Sequence, residues 1–531
     1  MKKILFLILV LLSVNTFATR WHVKADGSNA AAGTKIAPLQ TLAHAFSTAA
    51  LNYDTVVLIG TVNITTTVFP EIHTSLISDI DNPGTIIYTG NSIALAWYSA
   101  TIQSGGFTVD GITFDGQNTG TGAVTITRLG NVTFKNCTIK DFIDGGLNFY
   151  NPATTAPAVT GNIIYNNTIT NCTQYLAAGS FGNLWLTGQK NALVRKNTIT
   201  ATFRTGDNAG FVFKSSHSEN FKIDSNTFTV IGHDDGAKWC FAMEMNHNFG
   251  GHEINANRIQ GVIDFAGTNC LKGNYNYSVW IHHNNIGHTT QSARYQYGIF
   301  LEISDGLMEQ VIIEDNTFDN LTAVLQFYSA GSEVTRKIYF RRNLCTNIGI
   351  ISGSGLGWGV MQSGSSTTAT LRDVYLDNNT FSALSTGSQI AAIRLPYRIA
   401  TRNYNARNNI IIGFENSPII TDGGVLTGTI DTLNIQNNLI YNNGNSNNVN
   451  WYGIQPTNVT NTGVVKSDPL FISATNYKLQ PTSPAINTGL KIGYPYSGTA
   501  PDIGYSEYDG TKKIQLTGGK IKVINGKIQT R

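Results

Sequence analysis

Asn167-Thr168-Ile169, Asn197-Thr198-Ile199 and Asn226-Thr227-Phe228 are copies of one phrase, an asparagine leading a threonine and a large apolar residue. The phrase continues through Asn257-Arg258-Ile259, Asn285-Ile286, Asn316-Thr317-Phe318, Asn343-Leu344, Asn379-Thr380-Phe381, Asn409-Ile410-Ile411 and Asn438-Leu439-Ile440, and Cys137-Thr138-Ile139 holds its first position. Successive copies lie 27 to 36 residues apart. A coil of about 30 residues fits three short strands and three turns, and no helical periodicity interrupts it, which excludes the leucine-rich and helical repeats. Asparagine suits a recurring turn because it tolerates the left-handed backbone and because its amide can bond to an asparagine one coil away. The repeat therefore predicts an all-β, parallel β-helix with an Asn ladder. At roughly 4.8 Å per rung its eleven positions span about 50 Å.

Between the asparagines runs a second pattern, apolar residues flanking a variable one: Leu147-Asn148-Phe149, Leu184-Trp185-Leu186, Phe211-Val212-Phe213, Met243-Glu244-Met245, Ile263-Asp264-Phe265, Leu301-Glu302-Ile303, Leu325-Gln326-Phe327, Met361-Gln362-Ser363 and Ile393-Arg394-Leu395. Strict alternation puts the flanks in a core and the central residue in solvent. Stacked coils turn the central residues into a column, with Glu244, Asp264 and Glu302 on three consecutive rungs about 5 Å apart.

The ends differ from the middle. Residues 1–18 read as a secretory signal: Lys2 and Lys3, an apolar run from Ile4 to Val14, and Thr16-Phe17-Ala18 as cleavage site. Residues 19–53 hold a strand and an amphipathic helix from Pro38 to Ala50, with Pro38 in the first turn and Leu39, Leu42 and Phe46 on one face, suited to cap the open end of the core. Residues 54–467 are the β-helix, 468–508 a Pro-rich closing coil, and 509–531 a β-rich tail with Gly518-Gly519 and Asn525-Gly526 turns. The formal charge of +3 includes Lys2 and Lys3, so nothing suggests nucleic-acid binding or attachment to an anionic membrane surface. No later apolar stretch is long enough to span a bilayer. Five cysteines scattered singly argue against a disulfide framework or zinc site and read as small buried hydrophobes.

The Asn-Thr-Ile/Phe rungs, the opening Val23-Lys24-Ala25-Asp26-Gly27-Ser28 with Pro38-Leu39-Gln40-Thr41-Leu42, and the closing Asp468-Pro469-Leu470-Phe471, Ser483-Pro484-Ala485-Ile486-Asn487 and Asp502-Ile503-Gly504 resemble secreted bacterial right-handed parallel β-helix proteins of the pectin lyase-like superfamily. The resemblance covers nearly the whole chain after residue 18. It implies the fold but no activity, since that superfamily includes lyases, glycoside hydrolases, epimerases, adhesins and tailspikes. The catalytic signatures of its pectate lyases, polygalacturonases, and alginate and chondroitin lyases have no match here.

Chemistry is expected where the loops are longest. Ten residues separate the repeat position from Gln326, but 17 to 19 precede Trp185, Glu244, Glu302 and Gln362. Such extra length builds a wall beside a groove. The carboxylate column suits three tasks: holding Ca²⁺ on Glu244, Asp264 and Glu302; acid–base glycoside hydrolysis; or uronate lysis with Lys238, Lys272, His247 or Arg294 as the base. Trp185, Lys214, Asn246, Lys272, Tyr295, Gln326, Tyr328 and Arg394 are the candidate substrate contacts. The expected partner is an extracellular polysaccharide, an acidic one slightly favoured because Lys and Arg line the same loops. The expected location is outside the cell or on its surface. The expected activity is that of a lyase or glycoside hydrolase, with a non-catalytic adhesin or tailspike-like protein as the rival. Ordinary solvated residues on an outward strand are the bland account of the same column.

Overall fold

In the computed structural model, the residues described are 18–49, 53–152, 157–172, 182–203, 210–232, 240–265, 275–288, 296–303, 308–329, 334–349, 357–364, 370–384, 389–395, 400–415, 417–421, 431–444, 449–451, 458–508, 521–524 and 527–530. The chain visits three parallel sheets in turn. Thr133–Lys135 lies in the first, Thr138–Lys140 in the second and Gly145–Tyr150 in the third, before Ile163–Tyr165 returns to pair with Thr133–Lys135. Among the described residues these sheets hold 16, 14 and 13 strands. The result is a right-handed parallel β-helix.

Inward positions stack like on like. In the third sheet Leu147, Leu184, Phe213, Met243, Ile263, Ile299, Leu325, Val360 and Ile393 occupy successive rungs of one register. All are essentially buried in one continuous core. Parallel pairing needs every strand to find its mate one coil away, and the apolar file enforces that, because a one-residue slip would turn each of these side chains outward.

Between the first and second sheets the chain turns sharply, and buried amides satisfy the turn. Asn167 Nδ2 donates to Asn197 Oδ1 at 2.9 Å, Asn197 to Asn226 at 2.9 Å, and Asn226 to Asn257 at 3.0 Å. The same bond links Asn257, Asn284, Asn316, Asn343, Asn379, Asn409 and Asn438 in succession. Each side chain also bonds to the backbone. Asn316 Oδ1, for example, accepts from the N–H of Asn284, and its amide donates to the carbonyl of Ile281. Two details depart from the reading of the sequence. The member of the file is Asn284, not Asn285, which is exposed at the start of the next strand. The left-handed residue is the one before each asparagine, among them Lys196, Ser225, Ala256 and Arg342 with φ of 52–58°. Asparagine is needed here for its amide rather than for its backbone freedom.

The helix spans Leu42–Thr48 and is shorter than its pattern suggests. Pro38 is not in its first turn, because Leu39 pairs with Val23 as a strand and Thr41 is the N-cap, its Oγ1 accepting the N–H of His44 at 3.3 Å. Leu42, Ala45 and Phe46 are buried, and Phe46 meets Trp97 edge-on at 6.0 Å. Cys137, Cys172 and Cys345 are free and buried; Cys270 and the side chain of Cys240 lie outside the described residues.

Residues 468–508 lie along the outside of the last coils. The left-handed asparagines Asn378, Asn408 and Asn437 donate to the carbonyls of Asp502, Leu490 and Thr488. Leu479, Ala485 and Ile503 cover Ile410 and Leu439. Tyr494 donates to Asp377 Oδ2 at 3.1 Å, and that fully buried carboxylate is gripped by Arg407 through two bonds of 2.9 and 2.7 Å. Arg407→Ala strands the carboxylate, and breaking a buried pair this way costs about 3–5 kcal/mol. The exposed pair of Arg402 with Asp431 is the control, worth about 0–1 kcal/mol. Urea midpoints of the two alanine variants should separate clearly, and equal midpoints would remove the clasp from the account. Residues 521–524 and 527–530 form a small antiparallel hairpin.

Candidate functional site

The outer face of the third sheet carries one register of side chains: Asn148, Trp185, Lys214, Glu244, Asp264, Phe300, Gln326 and Met361. Lys214 and Glu244 are directly opposite one another, as are Glu244 and Asp264. Asp264 is opposite Phe300, so Glu302 stands two residues further along its strand and is opposite Tyr328. Met361, rather than Gln362, continues the register from Gln326. The sequence pattern erred at both places because the strands Tyr297–Ile303 and Gly357–Gly364 read equally well in two frames. It erred a third time in centring a rung on Val212, which is buried in the inner core while Lys214 holds the column.

Nor do these central residues stand in open solvent. Glu244 and Asp264 are each 4% exposed. Phe211, Phe241, Val262, Tyr297, Phe300, Trp358 and Met361 form a second apolar cluster on this outer side. Phe211 stacks on Phe241 at 5.8 Å, and Tyr297 on Phe300 at 5.8 Å. The unbroken apolar runs Phe211-Val212-Phe213 and Phe241-Ala242-Met243 are the sequence mark of a strand buried on both faces.

The carboxyls are held unequally. Lys214 Nζ is 3.4 Å from Glu244 Oε2, and Asn246 Nδ2 donates to Glu244 Oε1 at 3.0 Å. Lys214 is itself seated over Phe211, 4.3 Å from the ring centre, and 5.6 Å from that of Trp185. Burial raises the Glu244 carboxyl, and Lys214 and Asn246 pull it back. Asp264 has less help: Lys214 lowers it only as the smallest cause, and its Oδ1, like Glu244 Oε2, is buried with no hydrogen-bond partner among the described residues. Burial first, then the charges of Glu244 and Glu302, lift it well above the usual carboxylate range. Both carboxyls are thus raised, Asp264 the more strongly, while Lys214 and Asn246 favour the charged form of Glu244. Exposed His247 bonds through Nδ1 to Asn246 Oδ1 and lies flat on His217 at 5.4 Å.

A cavity of about 250 Å³ opens on the same face where the register is still half exposed. Its floor is Gly122, Gly145 and Gly182, and its walls include Asp144, Asn148 and Trp185. Asn148 Oδ1 is buried with no hydrogen-bond partner among the described residues. A Cβ on Gly182 would meet the Cβ of Lys214 at 3.6 Å, so the cavity borders the ion pair. The sequence reading missed Asp144 and the glycine row, although glycines three residues before Thr125, Asn148 and Trp185 were visible.

Glu244, Asp264, Lys214, Asn246, His247 and Trp185 therefore come together. Gln326 and Tyr328 are three rungs from Glu244, about 14 Å, and Tyr328 stacks on Phe300 at 5.5 Å. Arg394 packs over Trp358, still further along the sheet. Lys238, Lys272, Arg294 and Tyr295 lie outside the described residues. No group of three His, Cys, Asp or Glu side chains suited to a metal ion occurs among the described residues, Glu244, Asp264 and Glu302 included.

Replacing Lys214 by Met removes the charge that lowers Glu244. The Glu244 carboxyl should then rise further, so the acid limb of any pH–activity profile should move to higher pH. A profile that keeps its acid limb would show that Lys214 does not set this charge.

A family model described as disaggregatase related matches residues 251–401. That stretch takes in Asp264 but not Trp185, Lys214 or Glu244. No curated protein matches. Among solved structures, the chain is similar to the A-module of an Azotobacter vinelandii mannuronan C-5 epimerase, at 12% identity and a TM-score of 0.42, covering 81% of this chain and 94% of that one. It is similar to PfbA, a surface adhesin of Streptococcus pneumoniae, at 12% identity and a TM-score of 0.29, covering 80% and 87%. A mutant tailspike of an E. coli bacteriophage, in complex with a hexasaccharide, matches at 11% identity and a TM-score of 0.38, covering 77% and 68%. These likenesses concern fold.

Proposed function

We propose that this protein cleaves a polysaccharide outside the cell, as a glycoside hydrolase acting on the outer face of the third sheet. The observation that carries the reading is the unequal carboxyl pair. Lys214 and Asn246 pull Glu244 toward its charged form against burial, while Asp264 beside it is pushed well above the usual carboxylate range. A neutral acid next to an ionised carboxylate is what glycosidic cleavage needs. Asp264 would give its proton to the leaving oxygen as the C–O bond breaks. Glu244 would bond to the anomeric carbon, and water, losing its proton to Asp264, would then displace it. Side chains on adjacent rungs start about 4.8 Å apart, near the roughly 5–5.5 Å carboxyl spacing of retaining enzymes.

Retention is therefore the expected stereochemistry, read by NMR of the first-formed anomer. The activity itself is tested by incubating the purified chain with a panel of neutral, amino-sugar and uronate polysaccharides. New reducing ends without unsaturated products support hydrolysis. Unsaturated products would replace this reading with lysis, and inversion would move the nucleophile away from Glu244. The apolar run after Lys2 and Lys3 supports export as the route to such a substrate.

One observation favours a second reading, glycan binding without cleavage. Tyr98 and Tyr150, 58% and 38% exposed, flank Thr127 in the outer row beside the cavity, a ready stacking surface for sugar rings. Tight binding of a glycan that stays intact would favour it.

A further inference from the structure

The cavity and the ion pair share one face, but the face changes character between them. Gly122, Gly145 and Gly182 leave a floor without side chains. On the next rung the position opposite Gly182 is Phe211, followed by Phe241 and Val262, and these are buried at 4–6% exposure. Along this row the trough stops at Phe211. The side chain of Phe211 is a step at this end of the bare floor, and a glycan lying along the glycine row that seats against it presents an end toward Lys214.

The walls say what kind of end. Asn148 offers a buried acceptor oxygen with no partner among the described residues, and Asp144 offers a carboxyl. Trp185 adds an aromatic surface, and Lys214 is already committed to Glu244 and to the rings of Phe211 and Trp185. Acceptors beside an aromatic ring suit a ligand that brings hydroxyl or amino donors on an apolar ring face. A uronate carboxylate would meet Asp144 with like charge and find no free cation among the lining residues. At about 250 Å³ the space is below the roughly 300–1,000 Å³ of drug-sized sites, which fits one or two sugar rings.

We infer that the glycine-floored cavity is a blind-ended subsite that takes the terminal, hydroxyl- or amino-bearing sugar of a glycan chain and excludes uronates. This deepens the proposed function and rests on it for the meaning of the chain end, but the binding can be measured without turnover.

The test uses the full chain carrying Glu244→Gln, titrated by calorimetry. The ligands are linear neutral hexose and pentose oligosaccharides, amino-sugar oligosaccharides, uronate oligosaccharides, and ring-closed gluco-oligosaccharides that have no ends. Binding of a linear neutral or amino-sugar ligand is expected, with ring-closed and uronate ligands at least tenfold weaker. A second change, Gly122→Leu, fills the cavity. A Cβ there meets Ile93 at an ordinary 3.5 Å, so the fold should tolerate it, and binding should fall at least tenfold with the melting temperature unchanged. Trp185→Ala should weaken binding similarly, and Asp144→Asn should narrow the gap between neutral and uronate ligands. Preference for uronates, equal binding of ring-closed ligands, indifference to Gly122→Leu, or no binding at all would each overturn the inference. If the ligand binds as described but the unsubstituted chain never cleaves it, the hydrolase reading fails and the subsite stands.

Discussion

Glu244→Gln is expected to lower turnover by about 10²–10⁴-fold, the range for losing a positioned acid–base or nucleophilic group. Asp264→Asn is expected to lower it comparably while making the protein more stable. The two carboxyls are next to each other, yet they differ in what folding does to them. Glu244 enters the fold with Lys214 3.4 Å away and a hydrogen bond donated by the Asn246 amide, so its charge is partly compensated. Asp264 enters with a buried oxygen that nothing among the described residues satisfies. Its folded pKa is raised, so the native state holds a proton that the unfolded chain releases above about pH 4. By linkage, stability then falls as pH rises through that window and levels off above the folded pKa. Asparagine carries no proton to lose. The stability advantage of Asp264→Asn should thus be near zero at pH 3 and should grow through the acid range, read by urea unfolding at several pH values. A variant that loses stability equally at all pH values would show that the Asp264 side chain is doing structural work instead.

Asn316→Ala should destabilise the coil more than any surface change. Its amide donates to the carbonyls of Ile281 and Glu314 and to Asn343 Oδ1, and its Oδ1 accepts from the backbone and side chain of Asn284. Alanine leaves these groups buried and unsatisfied at about 1–3 kcal/mol each, with non-additive summation, so a loss of at least 3 kcal/mol is expected. Because each coil touches only its neighbours, the loss should appear first as local opening around the strands Met308–Glu314 and Thr317–Leu321, seen as faster amide exchange there. Asn166→Ala, at the exposed left-handed position, forfeits one side-chain bond to Asn136 and should cost far less. Similar losses in the two variants would mean that the buried amides are not what fixes the turn.

The coil and its period were legible in the sequence because they repeat. A spacing of about 30 residues and an alternating apolar flank need only local reading. The frame of individual residues was not so legible. Asn284 and Asn285 are adjacent, and only the stacking of Asn257 and Asn316 chooses between them. Glu302 and Phe300 both alternate with apolar neighbours, and only pairing with Asp264 selects Phe300. The burial of Glu244 and Asp264 depends on a second cluster to which six other strands contribute, which alternation in any one strand cannot reveal. The cavity was missed for a related reason: a row of glycines has no side chain to mark it, and its meaning appears only when Gly122, Gly145 and Gly182 are lined up beside Trp185.

The measurement closest to the centre of the account is infrared difference spectroscopy of the ligand-free protein at neutral pH, comparing the unsubstituted chain with Asp264→Asn and Glu244→Gln. The account predicts a protonated-carboxyl band that disappears with Asp264→Asn, and an ionised-carboxylate contribution that disappears with Glu244→Gln. If Asp264→Asn removes only an ionised-carboxylate signal, the two acids are both charged, and the donor–anion pair on which the proposed chemistry depends does not exist.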